Sequence, residues 1–208
     1  MKQLLVLLTL LTMATGATAR SIADLFVLEN APAIGNTLSP TQRLDMLDYL
    51  RNDQDAVVTN EWSDESSLDS LTERYLLLTA SEVKTVEMQL LTQGRDTVVA
   101  VIETYALPAK DSRISFYNQA WTPLRTSQFF KMPTTQDFAL PTATDEQLRA
   151  LQEQLRFDVI SLHFEGERLV ARHSLREYLT AEEWKKVQPC LRDSISYVIK
   201  GTKIKREK

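Results

Sequence analysis

The groups that could do chemistry in this chain are few: two histidines, one cysteine, several acid clusters and a run of aromatic residues. His163 and His173 flank the turn signal Glu165-Gly166. If those two residues make the turn, Phe164 pairs with Glu167 and Leu162 with Leu169, which puts the histidines on opposite faces of the ribbon. A turn one residue longer puts them on one face but about 13 Å apart at the usual strand rise. Zinc holds an imidazole nitrogen at about 2 Å, so one ion cannot take both. His163 with Glu165 is at most half of a site, and a strand-surface or core-satisfied histidine is the alternative. Cys190 follows Pro189 at the end of a helical stretch, with no histidine near it in sequence. It reads as a small buried hydrophobe rather than a nucleophile or an intermolecular bridge, and a single cysteine forbids an internal disulfide.

The acids Asp53, Asp55, Asp64, Glu65 and Asp69 lack the spacing and central glycine of a calcium loop and read as solvated loop charge. Glu87, Gln89 and Glu103 are expected on one sheet face, where a hydrolase would keep a carboxylate pair. The five glycines stand alone, so no phosphate cradle and no nucleophile elbow can be assembled. No cofactor is implied.

The richest stretch runs from Pro108 to Trp121. Phe116 and Tyr117 fall on opposite faces of one strand, so one ring enters the core while the other is presented, and Trp121 follows in a loop before Pro123. Tyr117, Asn118 and Trp121 are therefore the candidate binding surface, an aromatic platform for a sugar ring, a peptide or a partner. Against it stands the ordinary fate of such rings in a sheet, which is burial.

The elements that must position these groups follow from pattern. Ser21 and Asp24 open a short helix through Leu28. Ser39, Pro40 and Gln42 open a longer one to Asn52, with Leu44, Leu47, Tyr49 and Leu50 as its apolar stripe. From Ala56 the period becomes two, with strands at Val57–Thr59, Tyr75–Leu78, Val86–Leu90, Thr97–Tyr105 and around Ile114–Phe116, and an acidic serine loop over Ser63–Ser67. Short turns make these antiparallel neighbours, with Val86–Leu90 and Thr97–Tyr105 joined at Gly94. Val86, Met88 and Leu90 are matched to Val98, Ala100 and Ile102, and Val99 and Val101 imply cover on the second face too. The Pro- and Thr-rich segment 131–144 reads as a linker or lobe boundary. Beyond it come a helix capped by Thr144 with Leu148, Leu151 and Leu155 on one face, then strands at Ile160–Phe164 and Leu169–His173. A helix boxed by Thr180 and Glu183 and a strand over Ile195–Ile199 complete the chain, with Lys200 to Lys208 as a frayed basic tail. The fold class is α+β: an antiparallel meander with N-terminal helices, then a smaller helix-strand-strand-helix-strand part. Residues 20–208 form one domain or two lobes.

Residues 1–19 have the pattern of a secretory signal peptide: Lys2, an apolar core over Leu4–Leu11, and the A-x-A site Ala17-Thr18-Ala19. Processing leaves 189 residues beginning at Arg20, enough to bury a large core without staples. The leader carries one Lys and no acid, so the formal charge goes from −4 to −5. A mildly acidic body gives no reason to expect nucleic acid, and no later apolar run is long enough to span a bilayer.

The chain resembles the exported proteins grouped as domain of unknown function 3256, found mainly in Bacteroidales. The carrying residues are Leu25-Phe26, Arg43-Leu-Asp45, Leu71-Thr72 and the Pro-x-x-Asp-Ser-x-x-x-Phe-Tyr-x-x-x-Trp element from Pro108 to Trp121. The resemblance implies a periplasmic location in a Gram-negative cell and supplies no activity, ligand or catalytic residue. The expectation is therefore an exported, non-catalytic module that binds a protein or an envelope polymer. The alternative is a periplasmic hydrolase with a dispersed carboxylate site.

Overall fold

The computed structural model describes residues 20–154 and 158–207. The leader, Leu155 of the helix stripe and Lys208 of the tail lie outside the described residues.

Helix α1 (Ile22–Phe26) is opened by a capping box in which Ser21 and Asp24 satisfy each other's backbone N–H groups. Helix α2 (Pro40–Arg51) repeats the device with Ser39 and Gln42 and has Pro40 in its first turn. Its buried face differs from the expected stripe. Arg43, Met46 and Leu47 are inside, while Leu44 and Tyr49 are exposed. Arg43 takes the inward slot because its guanidinium donates to the carbonyls of Phe26 (2.6 Å) and Leu28 (2.9 Å), and Nε to that of Ser39 (3.3 Å). The Phe26 carbonyl belongs to the end of α1, where helix carbonyls lack intrahelical partners, and those of Leu28 and Ser39 accept the guanidinium in addition to a backbone N–H. Burial without a carboxylate partner pulls the Arg43 pKa below its ordinary value.

Seven strands then form one antiparallel meander in sequence order: β1 (Val57–Thr59), β2 (Glu65–Leu71), β3 (Tyr75–Ser81), β4 (Lys84–Gln93), β5 (Asp96–Ala106), β6 (Lys110–Tyr117) and β7 (Pro123–Leu124). The acidic serine stretch expected as a loop is largely β2. Ser66 and Leu68 are buried there, and Ser66 Oγ donates to the Ala80 carbonyl at 2.7 Å. A small hydroxyl that finds a backbone partner fills an inward strand position as well as an aliphatic residue does, and hydropathy does not register it.

β4 and β5 pair as expected, but with the other parity. The turn is Gly94-Arg95, so Gln93 faces Asp96, Val86 faces Glu103, Met88 faces Val101 and Leu90 faces Val99. Residues directly opposite in an antiparallel pair share a face. Val98, Ala100 and Ile102 therefore lie with Glu87, Gln89 and Leu91, and Glu103 is on the opposite face from Glu87. Both faces of β5 are buried.

A second antiparallel sheet has the order β11-β10-β9-β8, from β8 (Ile160–Glu165), β9 (Arg168–His173), β10 (Ser194–Lys200) and β11 (Lys203–Arg206). The basic segment expected to fray is in part β11. Ile204 turns inward at 5% exposure while Lys203 and Lys205 point out. Gly201, at φ +63, lies so near Gln93 of the first sheet that a Cβ would come within 2.9 Å of its Oε1. Helices α3 (Asp145–Gln154), α4 (Leu175–Tyr178) and α5 (Ala181–Val187) lie in this part of the chain, α5 opened by the Thr180–Glu183 box.

The first sheet is thus the middle of three layers. One face packs α1, α2 and their connecting loop against Leu76, Leu78, Val86, Met88, Val99 and Val101. The other packs Leu91, Val98, Ala100, Ile102, Ile114 and Phe116 against the second sheet, with Leu162, Phe164, Leu169 and Ile195 among the partners. Segment 131–144 is not a bare linker: Thr135–Phe138 is a 3-10 turn, and Phe138 is fully buried in the second core. Among the described residues no helix is long and apolar enough to cross a membrane.

Candidate functional site

β8 is an edge strand, and its outer N–H groups are satisfied in an unusual way. Those of Ile160, Leu162 and Phe164 point away from β9 and meet no further strand. They donate instead to side chains of the first sheet: Asp111 Oδ1 (3.2 Å), Ser112 Oγ (2.8 Å) and Glu87 Oε2 (2.9 Å). This protects an exposed edge from pairing with other chains, and it draws a carboxylate into the seam between the sheets. Glu87 is 4% exposed. Its Oε2 also accepts from the Tyr75 hydroxyl at 3.1 Å, and its Oε1 takes the His163 Nδ1–H at 3.0 Å.

The Glu87 carboxylate raises the His163 pKa above its ordinary value, against a smaller opposing effect of burial. Tyr75 is pushed far up, by burial first and then by the Glu87 charge. The imidazole is oriented by a carboxylate through Nδ1, which leaves Nε2 for solvent or ligand. Its side chain is 53% exposed.

Two cavities lie on either side of this bridge. One, of about 610 Å³, has Leu77, Thr85, Lys110, Ser161, His163 and Arg172 among its walls. The other, of about 400 Å³, is lined by Arg74, Tyr75, Gln89, Phe164, Glu167 and Ile199. Along β3, β4 and β8 the lining residues succeed one another without a gap. Together they make a groove between the two sheets, lined along its length by β3, β4 and β8.

His163 and His173 are on opposite faces, the arrangement expected for a two-residue turn and not that of the longer one. The turn is Gly166-Glu167, however, one residue later than expected, so Phe164 pairs with Leu169 and Ile160 with His173. Gly166 takes φ +60 as the first central residue of the turn, a position that suits glycine. The shift moves the register by two residues and so leaves the faces unchanged. Both His173 ring nitrogens are buried without a hydrogen-bond partner among the described residues, and the ring lies edge-on to Phe138 at 5.3 Å and near Trp184 at 5.8 Å. Burial lowers its pKa, the nearby Asp193 and Glu177 charges opposing. Cys190 is fully buried and its thiol donates to the Val187 carbonyl at 2.9 Å; burial raises its pKa. Among the described residues no three His, Cys, Asp or Glu side chains converge.

The structure brings Tyr117, Asn118 and Trp121 together as a corner that closes the first core, not as an offered platform. Trp121 is 6% exposed, its indole N–H donates to the Leu25 carbonyl at 3.2 Å, and Tyr117 packs edge-on against it at 5.5 Å. Asn118 Oδ1 accepts from the N–H groups of Ala120 and Thr122, and Trp121 sits at φ +60. The asparagine-built turn swings the ring inward, which the loop position alone did not reveal.

The two histidines pull the pH dependence in opposite directions. His163, with its pKa raised in the fold, adds stability that is complete below pH 6.5 and fades as pH rises through the folded value. His173, with its pKa lowered, adds stability that is complete above pH 6.5 and fades as pH falls through the folded value. Melting curves between pH 5.5 and 8 should therefore show His163→Gln losing the gain below pH 8 and His173→Phe losing the decline toward pH 5.5. Identical profiles for wild type and both variants would contradict the two assignments.

A seven-stranded meander with helices on one face and a four-stranded sheet on the other, joined at a carboxylate–histidine seam, defines an α+β sandwich with an inter-sheet groove. The chain belongs to the family described as Protein of unknown function (DUF3256), which matches residues 14–203. No curated protein matches it. Among solved structures, a domain of an uncharacterised protein from Porphyromonas gingivalis W83 superimposes with a TM-score of 0.76 at 22% identity, over 91% of this chain and 99% of that one. That likeness speaks for the fold.

Proposed function

We infer that this is an exported, non-catalytic binding protein of the cell envelope, and that the inter-sheet groove holds an extended acidic segment of a partner protein. The observation that supports this is the groove itself, two cavities of about 610 and 400 Å³ in succession along β3, β4 and β8, with exposed Lys110, Arg172 and His163 in the larger. Glu87 and His163 answer each other across their 3.0 Å pair, so the charge offered to a ligand rests on Lys110 and Arg172. Glu82 in the larger cavity and Glu167 in the smaller are the acids that oppose it, with Arg74 beside Glu167. Elongated peptide sites of this kind use alternate side-chain contacts along a groove, with charge complementarity setting specificity.

The test is selection of displayed random peptides on the purified protein. Acidic sequences should be enriched, and their binding should fall by roughly tenfold or more in a Lys110→Glu, Arg172→Glu variant that melts like wild type. No enrichment, or enriched peptides that bind the variant equally well, would count against the reading.

The hydrolase reading keeps one supporting observation, the His163 ring oriented by Glu87 with Nε2 directed away from the carboxylate. The pair it was expected to rest on is split, since Glu103 lies on the opposite sheet face. Glycan or peptide cleavage by wild type that disappears in His163→Ala would favour it.

Export itself makes a further prediction. The protein isolated from its native cell should begin at Arg20, and replacing Ala19 with a bulky residue should block processing. Recovery of full-length chain with Met1 from the soluble cytoplasm would overturn it.

A further inference from the structure

On the far side of the first sheet, the loop between α1 and α2 folds back over the ends of β4 and β5 and leaves a third cavity, of about 440 Å³. Its polar lining includes Glu29, Asn30, Asn36, Thr37, Lys84 and Glu103. Lys84 Nζ is 3.1 Å from Glu103 Oε2 and donates to the Ala33 carbonyl at 2.7 Å. The two charges answer each other inside the cavity wall. What remains for a ligand is the Glu29 carboxylate with a set of amide, hydroxyl and carbonyl groups, a lining that repels anions and offers acceptors and donors to the hydroxyls of an uncharged molecule.

Two exposed aromatic rings contact residues of this lining. Trp62, at 73% exposure, is the most exposed large hydrophobic residue among those described, and its indole N–H donates to the Asn36 carbonyl at 3.0 Å. Tyr105, at 47%, lies with its ring 5.4 Å from Lys84 Nζ and its hydroxyl 3.5 Å from Glu103 Oε2. Trp62 is not a loose surface ring. Buried Asn60 accepts from the N–H groups of Trp62 and Asp64 and donates to Ser66 Oγ and the Ala80 carbonyl, so the turn is anchored to the sheet. A fixed, exposed indole beside a polar cavity offers a flat apolar face and hydrogen-bonding groups at once, the two surfaces a pyranose ring presents.

We propose that this cavity binds a neutral sugar unit of a glycan, with the ring stacked on Trp62 and its hydroxyls directed to Glu29, Asn36 and Thr37. The site shares no residue with the inter-sheet groove, so each stands or falls separately. The purified protein is titrated with neutral tetrasaccharides of glucose, mannose and N-acetylglucosamine, and with an acidic galacturonate oligomer for contrast, by calorimetry and tryptophan emission. Saturable binding of at least one neutral glycan is expected, weakened about tenfold or more by Trp62→Ala and reduced by Tyr105→Ala. Both side chains are exposed, and unchanged melting of the variants confirms that the fold is intact. Three outcomes overturn the proposal: no saturable binding to any neutral glycan, binding unchanged in Trp62→Ala, or binding of the acidic oligomer alone.

Discussion

Trp121→Ala should lower stability by about 3 to 5 kcal/mol, the range for removing a large buried aromatic. For a chain of this size that corresponds to a fall in Tm on the order of 10 °C or more. The indole is buried among the residues of the first core, its N–H is paired with the Leu25 carbonyl and its face meets Tyr117. Removing it therefore opens a cavity and leaves a carbonyl at the end of α1 without that donor. Alanine gains nothing from the backbone, because φ +60 is as foreign to alanine as to tryptophan. Trp62→Ala is the control: the same chemical change at an exposed ring should move Tm by no more than a degree or two, since it removes little buried area. Equal melting of the two variants would mean that Trp121 is not a core residue.

What could be read from the sequence was local. The boxes Ser21–Asp24, Ser39–Gln42 and Thr180–Glu183 all form, because each needs only a hydroxyl and a side-chain oxygen three residues apart. The pairing of β4 with β5 was legible from the clean alternation of Val86 to Leu90 and the glycine after it. The facing of that pair was not, because a two-residue turn and alternation fix parity only when counted from the turn outward, and Val86 was matched to Val98 by hydropathy alone. β2 was missed because Ser66 is buried by a hydrogen bond rather than by apolarity.

The candidate sites were less legible still, since their partners come from far along the chain. Arg43 is fully buried by carbonyls 15 and 17 residues away, and Glu87 by an N–H 77 residues away. One signal did exist for Glu87. It sits in a strand whose neighbour, Val98–Ile102, is apolar on both faces, so an acid there must be covered and must find donors. Trp62 stood in an acidic turn with no periodicity around it, and nothing local distinguished it from Trp121.

The second large effect is expected at Glu87. Its carboxylate accepts from a backbone N–H, a phenol and an imidazole, two of them well inside the seam. Glu87→Ala leaves the Phe164 N–H and the Tyr75 hydroxyl without that acceptor, and hydrogen bonds to a charged group contribute about 1.5 to 3 kcal/mol each. Part of the loss is offset, because the variant no longer buries a charge. A net destabilisation of about 3 to 5 kcal/mol follows, read by urea unfolding. Glu87→Gln keeps one carbonyl oxygen for the Phe164 N–H but cannot hold the imidazolium, so it should recover part of the stability while the His163 pKa falls back toward 6.5 by NMR titration. The amide of Phe164 gives a third readout: slow to exchange in wild type, fast in Glu87→Ala and intermediate in Glu87→Gln. If Glu87→Ala unfolds at the wild-type urea concentration and the Phe164 amide stays protected, the carboxylate does not join the sheets. The groove would then lack the fixed wall on which both the peptide reading and the hydrolytic reading depend.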